Sequence, residues 1–304
     1  MIVVMGGPTA AGKSALALAV AERINGEIIG ADSRQLYRGL PIAAAAPTRD
    51  QRACVPHHLY ETIDPTLPQQ PALSAALFLS LADDVISEVE GRGKVAIVVG
   101  GTGLYLRALR LGLDPALPSD TSLKQTLLGD LAADGLAAMV ARLRAVDVVA
   151  AESIDRHNPV RVVRALEIAL LGGNAGGRSI EAMLAKAPRP SLQQARFLLV
   201  DADGLAERID ARTRAMFHNG IVDEASALAG ALPLEHALLH TIGIQEALEV
   251  ALGVSNVDNA VEAIATRTRQ YARRQRTWFH KEPWWTRVSA ADVDGACAAI
   301  AANP

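Results

Sequence analysis

Short, mainly apolar runs along the chain predict a set of buried β-strands. They cover residues 2–5, 27–31, 95–99 and 196–200, and each is too short to form a helix of its own. The residues between the first two runs, 15–23, are strong helix formers without a breaker. Strand, helix and strand joined by short links make a βαβ unit, so we expect parallel strands that end at one edge of a sheet.

Helical periodicity, with apolar residues every three or four positions, fills most of the remaining chain. It predicts helices at residues 73–90, 122–132, 135–149, 159–171, 205–219, 222–231 and 259–280. Asn158 is the predicted N-cap of the fourth of these helices. Residues 35–71 and 241–246 are expected to form loops, and residues 172–190 a loose link around a short helix.

The first predicted strand runs directly into a glycine-rich motif of the form G-x-x-x-x-G-K-[ST]. Its residues are Gly7, Pro8, Thr9, Ala10, Ala11, Gly12, Lys13 and Ser14. Backbone N–H groups of such a loop and the positive end of the following helix point at phosphate oxygens. Lys13 adds a mobile charge, and the Ser14 hydroxyl can reach a Mg²⁺ ion that bridges those oxygens. The motif predicts binding of a di- or triphosphate, including a nucleotide such as ATP.

Pro115 and Pro118 mark the point at which strands give way to helices alone. We therefore predict an α/β fold, a P-loop NTPase-like parallel sheet core with a small all-helical insertion domain. The core covers residues 1–114 and 191–304, and the insertion covers residues 115–190.

The composition fits a globular protein of a reducing compartment. Half of the 304 residues are hydrophobic, and no apolar run approaches the ~20 residues of a membrane span. Cys54 and Cys297 are the only cysteines and show neither pairing nor zinc spacing. The chain opens on the phosphate-binding strand without room for a signal peptide. We expect a cytoplasmic monomer with no membrane partner.

One helix concentrates the positive charge of a chain whose formal net charge is −3. Residues 263–281 contain no acid, and Arg269, Arg273 and Arg276 share one face with His280. Such a surface suits phosphodiester contacts, although a basic face that is merely solvated is the alternative. Because an acidic chain gathers its cations here, nucleic acid or another polyanion is the favoured partner.

Asp32, at the end of the second predicted strand, is the leading candidate for a general base. Parallel strands place it beside the phosphate loop, where it can accept a proton from a nucleophile or hold a metal ion as a Walker-B acid does. Thr102, in a glycine-rich bend after the strand at 95–99, is expected in the same crevice. Arg208 and Arg212, one turn apart, are either clamps on a leaving diphosphate or an exposed helix face.

Together these motifs resemble the tRNA dimethylallyltransferase (tRNA isopentenyltransferase) family in its bacterial form. The matching stretches follow the family's order along nearly the whole chain: GPTAAGKS (7–14), ADSRQLYRG (31–39), VPHHL (55–59), VVGGTGLYLRAL (98–109), NPVRVVRALE (158–167), ERIDARTRAMF (207–217), GIVDE (220–224), TIGIQE (241–246) and TRQYARRQRTWF (268–279). The resemblance implies transfer of a prenyl group from dimethylallyl diphosphate to the N6 amine of the adenosine 3′-adjacent to the anticodon, with release of pyrophosphate.

Residue roles follow from the resemblance at matching positions. Asp32 would be the general base on the amine, Thr102 would hydrogen-bond there, and Lys13, Arg212 and Ser14 with Mg²⁺ would stabilise the departing pyrophosphate. The insertion domain would clasp the tRNA anticodon stem-loop. Residues implied to contact tRNA are Asp32, Ser33, Arg34, Gln35, Thr102, Lys124, Val160, Arg161, Val162, Val163, Arg164, His240, Thr241, Ile242, Gly243, Ile244 and Gln245, and the basic helix adds Arg269, Arg273 and Arg276.

The chain departs from the family pattern at three places. It has four alanines at 43–46 where the family commonly has Gly-Thr-Ala-Lys, Ile244 where a tyrosine is usual, and Lys124 where an arginine is usual. Two other functions stay open. A small-molecule or nucleotide kinase would need ATP but not the arginine-rich helix, and a non-catalytic, nucleotide-gated RNA-binding module would tolerate Asp32→Ala.

Overall fold

The computed structural model describes residues 1–67, 73–113, 119–172 and 189–302. The chain divides into two compact units, Met1–Leu109 with Pro190–Pro304 and Arg110–Arg189. Pro115, Pro118 and the short helix expected within 172–190 lie outside the described residues. Within the described part of the chain, no helix is long and apolar enough to cross a membrane.

The larger unit is built on a parallel sheet. Its strands are β1 (Ile2–Gly6), β2 (Gly26–Gly30), β3 (His57–His58), β4 (Val95–Gly100), β5 (Arg196–Asp201) and β6 (Thr286–Ser289). They pair in the order β3-β2-β4-β1-β5-β6, every pair being parallel. The predicted parallel sheet is confirmed. The strands end at one edge, where Gly6 of β1 lies opposite Gly100 of β4.

Helices follow most of the strands. In chain order they are α1 (Lys13–Ile24), α2 (Arg49–Cys54), α3 (Ala75–Gly91), α4 (Gly103–Leu111), α5 (Thr121–Val146), α6 (Val148–Ser153), α7 (Pro159–Leu170), α8 (Leu205–His218), α9 (Ile221–Ala231), α10 (Ile244–Ala251), α11 (Val257–His280) and α12 (Val293–Ala301). Helices α5, α6 and α7 belong to the smaller unit, and the others begin in the larger one.

Helices cover both faces of the sheet, which explains why its central strands are apolar throughout. Val4 of β1 belongs to the buried cluster that includes Phe78 of α3. Its neighbour Met5 points to the opposite face, in the cluster that includes Leu16 of α1 and Ile300 of α12. Alternate side chains of each central strand therefore serve two separate cores.

The smaller unit has a core of its own, which includes Leu127 and Leu166. Helix α5 is broken at Gly135, whose φ of 81° and ψ of 168° are not helical, so it consists of two helical segments, as the sequence predicts. That element ends at Val146, and α6 follows as a separate helix. The Asn158 side chain accepts hydrogen bonds from two N–H groups in the first turn of α7, which confirms the predicted N-cap.

Several loop predictions are wrong. A capping box between Thr48 and Gln51 starts α2 inside the supposed loop at 35–71, and β3 adds a two-residue edge strand there. The loop expected at 241–246 ends early because α10 begins at Ile244. The sequence patterns did not predict β6 or α12, since such short elements give a weak periodic signal.

Candidate active site

The glycine-rich motif forms the turn between β1 and α1. Gly12 has a left-handed φ of 90°, and a β-carbon there would lie 2.8 Å from the Ala290 β-carbon. At Gly7 a β-carbon would lie 2.1 Å from the carbonyl oxygen of Val200 on β5. Only glycine lets the loop fold this tightly against the sheet. The loop and the start of α1 line a cavity of about 570 Å³.

Lys13 and Arg212 line this cavity, and among the described residues neither forms an ion pair with a carboxylate. The Lys13 Nζ atom donates to the carbonyl oxygen of Pro8 at 2.7 Å, and Arg212 Nη1 donates to Thr9 Oγ1 at 3.0 Å. Burial lowers the pKa of Lys13 to about 8, with Asp32 opposing the shift and Arg212 adding to it. Burial also lowers the pKa of Arg212. The recess therefore suits an anion, which would restore the solvation that these cations lack.

Asp32 and Thr102 lie on the other side of the loop, at the ends of β2 and β4. Asp32 Oδ1 accepts from the Arg34 N–H at 2.9 Å, and Thr102 Oγ1 accepts from the Ser33 N–H at 3.1 Å. Asp32 lines the same cavity as Lys13. The geometry therefore brings the predicted base and the predicted anion site together.

Gln275, on α11, is a member of the site that the sequence reasoning missed. It is only 6% exposed, and its carboxamide bridges the Thr9 N–H and the Gly101 carbonyl oxygen. Tyr60 and Tyr271 also line the cavity. Burial, together with the charge of Asp32, raises the pKa of both phenols, so both stay neutral. Tyr271 belongs to a stripe of cations and aromatic residues that the helical pattern shows on the basic helix, whereas nothing in the sequence pattern singles out Gln275 or Tyr60.

Half of the predicted tRNA contacts in the larger unit line this cavity. They are Ser33, Arg34, Gln35, His240, Thr241 and Ile242, together with Asp32. The tRNA contacts predicted for Gly243 and Ile244 are wrong, because both residues are buried. Ile244 packs in the apolar cluster of α9 and α10. Gln245 accepts a hydrogen bond from Arg267 at 3.3 Å. Similarity to a family motif identifies a segment that contacts tRNA in the family, but it does not show which side chains of that segment are exposed.

The alanine run is held by its backbone rather than by side chains. The Gln35 Nε2 atom donates to the carbonyl oxygens of Ala44 and Ala45. The Glu224 carboxylate accepts from the N–H groups of Ile42 and Ala43. The segment is therefore fixed in place although it lacks the threonine and lysine that are usual there.

In the smaller unit, the predicted tRNA contacts divide into exposed and buried side chains. Lys124, Val160 and Arg161 are exposed. Val162 and Val163 are 0% and 3% exposed in the core of that unit, so assigning them to tRNA is wrong. They face inward because they follow α7's apolar stripe. Arg164 pairs with the buried Glu167 at 2.6 Å.

The face of α11 is less cationic than its sequence indicates. Arg269 pairs with Asp210 of α8 at 2.6 Å, and Arg276 pairs with Asp201 of β5 at 2.7 Å. Arg273 is exposed, and among the described residues no carboxylate pairs with it. Acids from neighbouring elements thus neutralise two of the three arginines assigned to nucleic acid.

Comparison with known proteins gives consistent matches over most of the chain. A family model described as IPP transferase matches residues 35–282. A tRNA dimethylallyltransferase of Anaeromyxobacter dehalogenans is 45% identical over 288 residues, which cover 92% of each chain.

Solved structures agree with these matches. A tRNA isopentenylpyrophosphate transferase from Bacillus halodurans gives a TM-score of 0.68 at 30% identity, over 99% of this chain and 95% of its own. A eukaryotic dimethylallyltransferase acting on tRNA shares the fold, with a TM-score of 0.75 at 24% identity over 96% of this chain and 74% of its own.

Proposed function

The chain belongs to the IPP transferase family, whose relatives are tRNA dimethylallyltransferases, and we propose that it prenylates tRNA. The group transferred is the dimethylallyl group of dimethylallyl diphosphate, the acceptor is the N6 amine of the adenosine 3′-adjacent to the anticodon, and pyrophosphate is released. One observation carries the proposal. A single cavity holds two poorly solvated cations for the diphosphate and a carboxylate for the amine.

The donor diphosphate would bind to the loop after β1. Its oxygens would accept from backbone N–H groups at the N-terminus of α1, and Lys13 and Arg212 would face them. As the bond between the allyl C1 and its oxygen breaks, the electron pair goes to pyrophosphate. The two cations stabilise that growing charge more than they stabilise the bound donor.

A magnesium ion fits the donor end. The Ser14 side chain lines the cavity, and Mg²⁺ usually takes one or two protein ligands beside phosphate oxygens and water. When bound, Mg²⁺ neutralises charge on the diphosphate. The described residues hold no cluster of three or more His, Cys, Asp or Glu suited to a metal, so the diphosphate would supply most of the ligands.

At the acceptor end, the N6 lone pair forms the new bond to the allyl C1. This amine is a weak nucleophile because its lone pair is delocalised into the adenine ring, so position and proton removal matter most. Asp32 would accept the N6 proton, and Thr102, whose Oγ1 accepts from the Ser33 N–H, would hydrogen-bond with the amine as the family resemblance implies. Asp32 keeps its orientation through the Arg34 N–H.

The tRNA would deliver a base that has left its stack. In the larger unit, Arg34, Gln35 and His240 line the cavity in which that base would lie, and exposed Arg273 would contact phosphate. In the smaller unit, exposed Lys124 and Arg161 are the corresponding cations. A single chain supplies every residue given a role, so the proposal is a monomer, and a tRNA substrate fits a cytoplasmic location.

Transfer of radiolabel from dimethylallyl diphosphate to unmodified tRNA tests the proposal, with ATP alone as the parallel donor. We expect label on tRNA, and we expect Asp32→Asn to lower kcat by about 10² to 10⁴-fold because the base is lost without a change of shape. Affinity for tRNA should change little, which a filter-binding titration checks. Consumption of ATP with a small acceptor and no labelled tRNA would show that the protein is a kinase.

A further inference from the structure

Gln275 uses both ends of its side chain to join two loops of the site. Its Oε1 atom accepts from the Thr9 N–H at 2.8 Å, and its Nε2 atom donates to the Gly101 carbonyl oxygen at 2.8 Å. The partners fix the orientation of the amide, since an N–H can only donate and a carbonyl oxygen can only accept. The bridge is buried, where such bonds are strongest and hardest to replace by water.

The two loops serve opposite ends of the proposed reaction. Thr9 belongs to the phosphate loop, and its hydroxyl holds Arg212 at 3.0 Å. Gly101 directly precedes Thr102, whose hydroxyl holds the segment that carries Asp32 through the Ser33 N–H. One side chain therefore connects the leaving-group side of the cavity with its acceptor side.

Gln275 is closely packed against Gly101. A β-carbon at Gly101 would lie 2.3 Å from Gln275 Nε2, and one at Gly103 would lie 2.4 Å from the Trp278 ring, one turn further along α11. Helix α11 is thus pressed directly against the loop after β4, and the two glycines allow this close approach.

We propose that Gln275 is a positioning residue that sets the separation between the phosphate loop and the Thr102 loop. The inference rests on the proposed function and deepens it. In-line attack needs the amine and the departing oxygen on opposite sides of the allyl C1, so a shift of either loop lengthens the path of attack. Donor binding, which depends on many N–H groups and two cations, is less sensitive to that shift.

Gln275→Glu is the sharpest probe, because its behaviour depends on protonation. When protonated, the new carboxyl group donates its O–H to Gly101 and accepts from Thr9, as the amide does. When ionised, it presents a charged oxygen to the Gly101 carbonyl oxygen. Burial and that oxygen both raise its pKa. Gln275→Met removes both bonds at every pH, and Gln270→Glu adds the same charge at an exposed position of the same helix.

We expect Q275M to lower kcat by about 10- to 100-fold, with KM for dimethylallyl diphosphate within about threefold. For Q275E, the ratio of its kcat to that of the wild type should rise about tenfold or more as pH falls from 8.5 to 6. The ratio of the kcat of Q275M to that of the wild type is the reference for this comparison, because the other ionisable groups lining the cavity occur in all three proteins: Lys13, Asp32, Arg34, Tyr60, Arg208, Arg212, His240 and Tyr271. Q270E should match the wild type.

Hydrogen exchange provides a readout that needs no substrate. At pH 8.5, the backbone amides of residues 7–14 and of residues 100–106 should both exchange faster in Q275E than in the wild type. Exchange in α9 should be unchanged. If wild-type protein fails to prenylate tRNA, the proposed function is wrong and this measurement alone decides the inference. Unchanged exchange in these segments, or an equal loss of kcat by Q275E and Q275M at every pH, would overturn it.

Discussion

Lys13 and Arg212 show how single side chains can be prepared for an anionic ligand. Burial disfavours the charge of each, and each donates a hydrogen bond to a neutral oxygen of the phosphate loop. A bound diphosphate supplies the missing counter-charge, so the cost of their burial is recovered on binding. This arrangement makes affinity depend on the protonation of Lys13.

The affinity for pyrophosphate should therefore fall as pH rises through the pKa of Lys13, about 8 in the free protein. Below that pKa the lysine is charged and affinity is constant, and above it affinity falls by about tenfold per pH unit. Calorimetric titrations from pH 6.5 to 9.5 measure this. Lys13→Met is the control. Its affinity for pyrophosphate is weaker, and that affinity varies with pH only because pyrophosphate itself titrates. A constant ratio between the two proteins would show that Lys13 does not lose its proton in this range.

The sequence could predict residues whose partners are close in the chain. The phosphate loop is a local turn, so its spacing was sufficient to locate Lys13 and Ser14. Gln275 could not be found, since its partners Thr9 and Gly101 lie in other parts of the chain and nothing near Gln275 requires an amide. Ile244 was misassigned for a related reason, because only packing shows that it faces inward.

At the scale of elements, α11 shows that the net charge a helix presents depends on the residues of neighbouring elements as well as on its own sequence. Arg269 and Arg276 pair with acids that come from α8 and β5. Buried sides of the helix, including Ile264 and Phe279, pack into the large core clusters. Periodicity predicted the helix and its length well, but acids on other elements cannot be read from it.

Substitutions of Arg273 and Arg276, which are three residues apart, should have different effects on tRNA binding and on stability. Arg273→Gln should lower the slope of log affinity for tRNA against log salt by about one and leave Tm unchanged. Arg276→Gln should lower Tm, because Asp201 loses the partner that keeps the pKa of its partly buried carboxyl low. Filter binding at several salt concentrations and thermal unfolding measure the two effects. Equal effects of both variants on Tm would contradict this division.

At the scale of the whole molecule, the ends of the chain meet in one core. Ile300 of α12 is 3% exposed and packs in the cluster that contains Leu16 of α1, and its carbonyl oxygen accepts from Arg196 Nε at 3.1 Å. Because these contacts join residues far apart in the chain, we expect α12 to contribute to the stability of the whole sheet.

Ile300→Ala should therefore lower the free energy of unfolding by about 2–4 kcal/mol, through lost burial and the cavity left behind. Leu252→Ala is the matched control, since Leu252 is 77% exposed and its loss should change stability by no more than about 0.5 kcal/mol. Urea unfolding of the full chain measures both. Equal stability of the two variants would mean that α12 contributes little to the core.

The strand order also sets a sequence of events during synthesis. Strand β1 leaves the ribosome first, but its sheet neighbours β4 and β5 begin only at Val95 and Arg196. The smaller unit, in contrast, is one unbroken stretch from Arg110 to Arg189. Since units fold once their chain is complete, the helical unit can fold while the nascent sheet is still missing β5 and β6. Until β5 emerges, the phosphate loop lacks the Val200 carbonyl against which it packs, so the site forms after the helical unit is complete.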